Sequence, residues 1–418
     1  MYNTLMRKYI FFFIFLSTIV NAANWLMIQG TEKKQGHHPW GFLQIKQEHN
    51  YGKTKEVSGK NKTPFSYIRP TLQEQSELLL NRLRIGIRGG FDEENNINYF
   101  VLTEIAQNGV NNPLGYATPT YIVDASLTFK YLPIYIRVGK FKYAGSEEGN
   151  MARFTSPFIN FSTVGNQLML ERFVGDAGVP TQGVGAYRDT GVQLFQSYEI
   201  SAGKSISLSY MLGNGSGTAN KNVNDNKFTN YGYISFEDVL GKGKGYKLES
   251  YKLYAWAQSG KRLYQDDFYD RTRYGAGATY FNKGLRVEAE YMAGMGMIVN
   301  GVKDNNSVQD QEDWAYKMAD SKDNKANGFY ILSTYSLFEP LELLVKYDVY
   351  NRMTNDDASY RKFESLTTGF SYIFEKYNRI DVNYAFNSID APYNASAQKL
   401  LSSTVGDLFS VQLTWVIK

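Results

Sequence analysis

Apolar and polar residues alternate one by one in short runs along most of the chain, and polar stretches separate the runs. Successive side chains of a strand point to opposite faces, so a period of two predicts strands with one apolar and one polar face. The last run, LFSVQLTWVIK, sets Phe409, Val411, Leu413, Trp415 and Ile417 against Ser410, Gln412 and Thr414. YIVDASLTF sets Tyr121, Val123, Ala125, Leu127 and Phe129 against Ile122, Asp124, Ser126 and Thr128. LRVEAEY sets Leu285, Val287, Ala289 and Tyr291 against Arg286, Glu288 and Glu290. The pattern returns at Leu341–Val349, Leu366–Phe374 and Ile380–Phe386, and more faintly at Trp40–Glu48, Tyr246–Gln258 and Gly328–Tyr335. Placed throughout, it predicts an all-β chain of about sixteen strands.

The connections alternate as well. Tyr131-Leu132-Pro133, Tyr198–Lys204, Asn282-Lys283-Gly284, Ser336–Pro340 and Glu375–Asn378 are tight. Between them lie long polar segments at Asn50–Leu80, Tyr143–Asp189, Gly213–Phe228, Val299–Asn327, Asn351–Glu364 and Asn387–Asp407. A soluble sandwich has no reason to keep every second connection short. A transmembrane antiparallel β-barrel does, with short periplasmic turns and long extracellular loops. Closure also removes the unpaired edges that such an array would expose. Trp415, Tyr280, Tyr347 and Tyr384 fit the aromatic girdles of such a barrel.

The N-terminus reads differently. Arg7 and Lys8 precede the apolar run Tyr9–Leu16, and Val20-Asn21-Ala22 offers a cleavage site. That is the form of a secretory signal peptide over residues 1–22. Residues 23–39 are then expected to form an N-terminal periplasmic segment and residues 40–418 the barrel. No other segment is long and apolar enough for a spanning helix. The exported chain has no cysteine, which disfavours a disulfide-stapled scaffold. Tyr (33) and Gly (37) are abundant while Pro stays at 10, which suits many two-faced strands. The formal net charge is only +4, and removing Arg7 and Lys8 lowers it by two, so there is no nucleic-acid footprint.

Inside a barrel the polar strand faces line the lumen. The stretch NRLRIGIRGG then turns Leu83, Ile85 and Ile87 to lipid and Arg82, Arg84 and Arg88 inward, as a column that could pass oxyanions between weak sites. Arg137, Arg286 and Arg379 are expected to project inward from other strands. A second reading stays open, in which the inward acids Glu104, Asp124, Glu288, Glu290, Glu342, Asp348 and Asp381 neutralise these arginines.

Several blocks look familiar together. NRLRIGIRGGFDEENNINYFVLTEIA, IVDASLTFKYLPIYIRVGKFK, GNMARFTSPFINF with LERFV, YRDTGVQLF, YMLGNGSG and NRIDVNYAFN run from about Leu79 to the C-terminal strand. In these the chain resembles the phosphate-selective porin O and P family within the outer-membrane porin-like superfamily. The resemblance implies sixteen strands, a homotrimer in the outer membrane of a Gram-negative bacterium, an inward-folded third loop and passive transport of anions such as phosphate. The chain departs from many outer-membrane proteins in ending Trp-Val-Ile-Lys rather than on an aromatic residue, and it lacks a lysine cluster in its third loop.

That third loop, residues 143–189, is the candidate constriction, with Arg153 and Arg172 facing the free lumen and Phe154, Phe158, Phe161 and Phe173 as wall anchors. Its acids Glu147, Glu148, Glu171 and Asp176 count against pure anion selectivity. An external lid is the other reading of this segment. Tyr251, Tyr254 and Trp256 could instead form a sugar track, a cation-preferring pore is open, and a closed barrel used for adhesion through its loops is a different class altogether. Nothing points to an enzyme or a cofactor. The three histidines, His37, His38 and His49, have neither metal-site spacing nor a nucleophile beside them, and His37-His38 reads as an exposed pair at the periplasmic entrance. GKGKG at Gly241–Gly245 reads as a flexible turn, since no helix follows it to cradle phosphate.

Overall fold

The computed structural model describes residues 36–53, 55–57, 60–62, 75–106, 120–173, 175–176, 184–217, 227–264, 267–301 and 323–417. The expected leader at residues 1–22 lies outside them. Sixteen strands form one closed antiparallel barrel. They are β1 (Gly36–Asn50), β2 (Ser76–Gly90), β3 (Ile97–Glu104), β4 (Tyr121–Phe129), β5 (Tyr135–Lys142), β6 (Arg188–Ser201), β7 (Lys204–Gly213) and β8 (Thr229–Val239). The second half comprises β9 (Ser250–Tyr264), β10 (Asp267–Asn282), β11 (Leu285–Met295), β12 (Lys325–Phe338), β13 (Leu341–Arg352), β14 (Arg361–Glu375), β15 (Asn378–Asp390) and β16 (Leu408–Ile417). Every strand pairs with its neighbours in sequence, and β1 closes the ring on β16 from Gly41↔Ile417 to Asn50↔Leu408. No helix among the described residues is long and apolar enough to cross a membrane.

The apolar strand faces are exposed and the polar faces buried, the inverse of a soluble sheet. In β16, Ser410, Gln412 and Thr414 are buried while Trp415 and Ile417 are exposed. In β2, Ile85 and Ile87 are exposed while Arg82 and Arg84 are buried. The register of β1 against β2 shifts at Gln44/Ile45, where Asn81 is the extra residue. That bulge flips the phase: Leu78 and Leu80 point out before it, and Ile85 and Ile87 after it. Alternation along the sequence misses such a flip in β4. The register of β3 against β4 slips at Val123, so Val123 is buried and Ile122 exposed, the reverse of the face assignment made from the period alone.

Tight turns sit at one end of the barrel. Lys283 (φ 47) and Gly284 (φ 83) join β10 to β11 with both central residues left-handed, the conformation that matches the twist of a two-residue hairpin. Glu249 carboxylate oxygens accept the backbone N–H of Lys242 (2.9 Å) and of Lys283 (3.2 Å), so the GKGKG segment is tied to that hairpin. β1 starts at Gly36, ahead of the boundary expected at residue 40, because it continues pairing with β2 as far as Gly90. His37 and His38 are therefore strand residues at the short-turn end, and the His37 ring hydrogen-bonds the Tyr99 hydroxyl. At the long-loop end β9 and β10 pair out to Tyr264↔Asp267, so strand replaces loop there.

Candidate functional site

The longest connection, from Tyr143 to Tyr187 between β5 and β6, enters the barrel. Its described residues are mostly buried, and they meet inward side chains from around the ring. At its root, Ser146 Oγ (2.9 Å) and Glu147 N (3.2 Å) donate to Glu290 of β11, which also accepts from Trp256 Nε1 (2.8 Å) and Tyr330 OH (2.7 Å). Lys252 of β9 donates to Glu147 at 2.7 Å. Further along, Ile159 N donates to Asn383 of β15 (2.9 Å), Asn160 Nδ2 to Glu48 of β1 (2.7 Å) and Thr163 N to Asp348 of β13 (2.7 Å). On the return path Glu171 meets Arg271 of β10, and Asp176 meets Arg352 of β13 (2.9 Å) and Arg361 of β14 (2.6 Å). Attachment thus runs both ways: wall acids take loop N–H groups, and loop acids take wall cations. Charge-assisted bonds of this kind are the stronger class of hydrogen bond.

Apolar contacts complete the attachment. Tyr143 stacks on Tyr231 of β8 at 4.4 Å, Phe161 packs against Tyr187 at 5.7 Å, and Val164, Leu168, Met169 and Leu170 are fully buried. Gly149 is required at its place: a Cβ there would fall 2.0 Å from the Tyr187 ring. Glu148 bridges the loop to itself, accepting Ser162 N (2.7 Å) and Ser162 Oγ (2.6 Å).

The arginines singled out in the sequence divide into two groups. Arg82 donates to Gln44 Oε1 at 2.8 Å and lies within electrostatic range of Arg84, Arg153, Glu104 and Arg172. Arg84 pairs with Glu104 at 2.7 Å. Arg153 holds the carbonyls of Phe158 (2.7 Å) and Ile159 (3.2 Å) and lies 4.1 Å over Phe161, while Arg172 donates to Asn166 Oδ1 at 3.2 Å. These four come together. The others are dispersed. Arg88 lies over Trp40 (5.6 Å), and Arg137 donates to Thr128 and Gln193 (3.2 Å each) and lies over Phe195 (4.4 Å). Arg286 stacks on Tyr246 (3.8 Å) and donates to its carbonyl. Arg379 pairs with Asp381 (2.8 Å) and clamps the loop through the carbonyls of Phe154 (2.7 Å) and Ser156.

Three more cations belong with the first group. Lys142 lies within range of Arg84, Arg153 and Arg188, and Lys140 within range of Arg188. Arg188 itself is paired with Asp124 at 2.9 Å. Arg137, Lys140 and Lys142 of β5 are all buried, as is Phe141, and Gly139 among them has a positive φ (122). Strict alternation from Arg137 puts Lys140 and Lys142 on the opposite face, so the period alone does not find them. The three residues of the alternative sugar track do not share a face: Tyr254 and Trp256 are inward and buried, but Tyr251 is on the other face, against Phe236 (6.0 Å). Among the described residues no group of acids and histidines could hold a metal ion.

A closed sixteen-stranded antiparallel barrel with a long inserted loop is the architecture of outer-membrane porins, and solved structures bear out the likeness in fold. An anion-selective porin from Comamonas acidovorans aligns at TM-score 0.55 and 13% identity, over 91% of this chain and 99% of that one. OmpF of Salmonella typhi, solved with daunomycin, gives 0.54 and 14% over 91% and 97%. The outer-membrane channel DcaP of Acinetobacter baumannii gives 0.52 and 12% over 93% and 99%. No family model matches the sequence, and no curated protein does.

Proposed function

We propose that the chain is an outer-membrane porin through which small hydrophilic solutes diffuse passively, with a preference for anions such as phosphate. The inside-out barrel supports placement in the outer membrane, and the inserted loop supports a constriction at Tyr143–Asp189. One observation carries the anion preference. The loop acids Glu147, Glu171 and Asp176 are turned to wall cations, while Arg82, Arg84, Arg153, Arg172 and Lys142 gather near one another. The acids that counted against anion selectivity thus serve attachment, and the basic cluster keeps an excess of positive charge. Guanidinium binds oxyanions through planar paired donors, which favours phosphate over a simple halide. Export by the N-terminal leader and assembly as a homotrimer belong to the same reading, as the resemblance to phosphate-selective porins implies.

Bilayer recording with the purified, detergent-folded protein tests it. In a salt gradient the reversal potential is expected to report anion preference, and Arg82→Ala with Arg84→Ala is expected to reduce the permeability ratio several-fold. A cation-preferring pore indifferent to both substitutions would remove the anion preference. Absence of conductance would favour a closed surface barrel.

A further inference from the structure

At the long-loop end, three fully buried guanidiniums converge on Glu171: Arg262 of β9 and Arg271 and Arg273 of β10. Asp189 of β6 adds a second negative charge, so the cluster keeps one net positive charge. The donors are unevenly used. Arg273 is consumed by the carbonyls of Leu168, Thr272, Met295, Gly296 and Met297. Arg271 spends Nε on Glu171 and Nη1 on Gln258 Oε1 (2.7 Å), and Arg262 spends Nη2 on Tyr231 OH (3.1 Å). Asp189 is saturated by Thr190 N (2.9 Å), Gly215 N (2.9 Å) and Tyr231 OH (2.7 Å).

Five buried donors then have no hydrogen-bond partner: Arg262 Nε and Nη1, Arg271 Nη2, Gln258 Nε2 and Tyr143 OH. Tyr143 stacks on Tyr231 and lies within electrostatic range of Arg271 and Arg262. Against these stands one unpartnered acceptor, Glu171 Oε2, 3.7 Å from Arg262 Nε. Buried polar groups are almost always paired in folded proteins. A water donating to Glu171 Oε2 would satisfy at most two of the five donors; the rest, beside a net positive charge, call for the several acceptor oxygens of an anion.

We propose that a small tetrahedral oxyanion of the phosphate or sulfate type binds here, held by Arg262, Arg271 and Tyr143. It would join β9 and β10 to the first residue of the inserted loop, and so fix the root of that loop to the wall. The site uses none of the arginines around Arg82 and does not rest on the channel reading.

Isothermal titration of the full-length, detergent-folded barrel, prepared in chloride, with inorganic phosphate and separately with sulfate tests this. A single saturable site is expected for both, with chloride at equal ionic strength giving none. Arg262→Gln is expected to abolish binding. Tyr143→Phe removes only an unpartnered hydroxyl and is expected to weaken binding about tenfold. Lys204→Gln removes an exposed charge at the other end of the barrel and is expected to leave binding unchanged. Should Arg262→Gln fail to fold, Tyr143→Phe carries the test. The proposal is overturned if the wild type shows no saturable binding in the millimolar range. It is equally overturned if folded Arg262→Gln binds as the wild type does, or if Tyr143→Phe leaves the affinity unaltered.

Discussion

Arg82 and Arg352 are the same residue type, each on a strand, each buried on the inner face, yet they have different company. Arg352 and its neighbour Arg361 share the loop carboxylate Asp176. Arg82 meets a neutral amide, Gln44, and has three cations, Arg84, Arg153 and Arg172, within range against one carboxylate, Glu104, which is paired with Arg84. The strand decides only that a side chain points inward. What the loop delivers opposite it decides whether a cation fastens the structure or adds to a positive field.

The largest effect should come from breaking the fastening side. Asp176→Ala takes the carboxylate from two buried guanidiniums, and losing one partner of such an arrangement costs about 3–5 kcal/mol. Urea unfolding of the detergent-folded barrel should show that loss, whereas Arg82→Gln should shift the midpoint far less. Equal losses in the two variants would erase the distinction. Gly149→Val comes next, because its side chain would enter the Tyr187 ring. Overpacking of this kind costs about 1–3 kcal/mol. It should also raise the cleavage rate of the inserted loop in limited proteolysis, and adding Tyr187→Ala should recover part of the loss.

The smallest effect sharpens the contrast from outside the barrel wall. The backbone N–H groups of Lys242 and Lys283 hold the Glu249 carboxyl below the usual carboxylate range. A depressed carboxyl contributes stability above its unfolded pKa and loses it as pH falls through its folded pKa. The wild type should therefore lose slightly more stability on acidification than Glu249→Gln, visible as converging melting temperatures at low pH. A constant gap between the two would assign Glu249 no such part.

Much of this architecture was legible in the sequence. The period of two located strands such as Tyr121–Phe129 to the residue, because the outward-facing side chains of the barrel are mostly apolar whatever their partners. The same rule could not see Asn81 or Val123, where one residue shifts the phase, since a bulge depends on register with a neighbouring strand. The inward position of Arg82 and Arg84 was legible, and their partners were not. The loop acids Glu171 and Asp176 read as charges in the lumen, but their bonds are to Arg271, Arg352 and Arg361, far away in sequence. Arg379 points inward as its strand's period implies, but its bonds to the loop carbonyls of Phe154 and Ser156 are equally distant in sequence.

The seam between β1 and β16 has a consequence for the order of assembly. Every other strand pairing joins neighbours in the chain, so each needs only a local turn or a loop to form. The seam joins Gly41 to Ile417 and Asn50 to Leu408, across nearly the whole polypeptide. Contacts between distant residues bear the greatest chain-closure cost and form slowly. Closure at the seam is thus expected to follow the pairing of chain neighbours. Until the two strands meet, the free edge of each carries a row of unpaired backbone N–H and C=O groups.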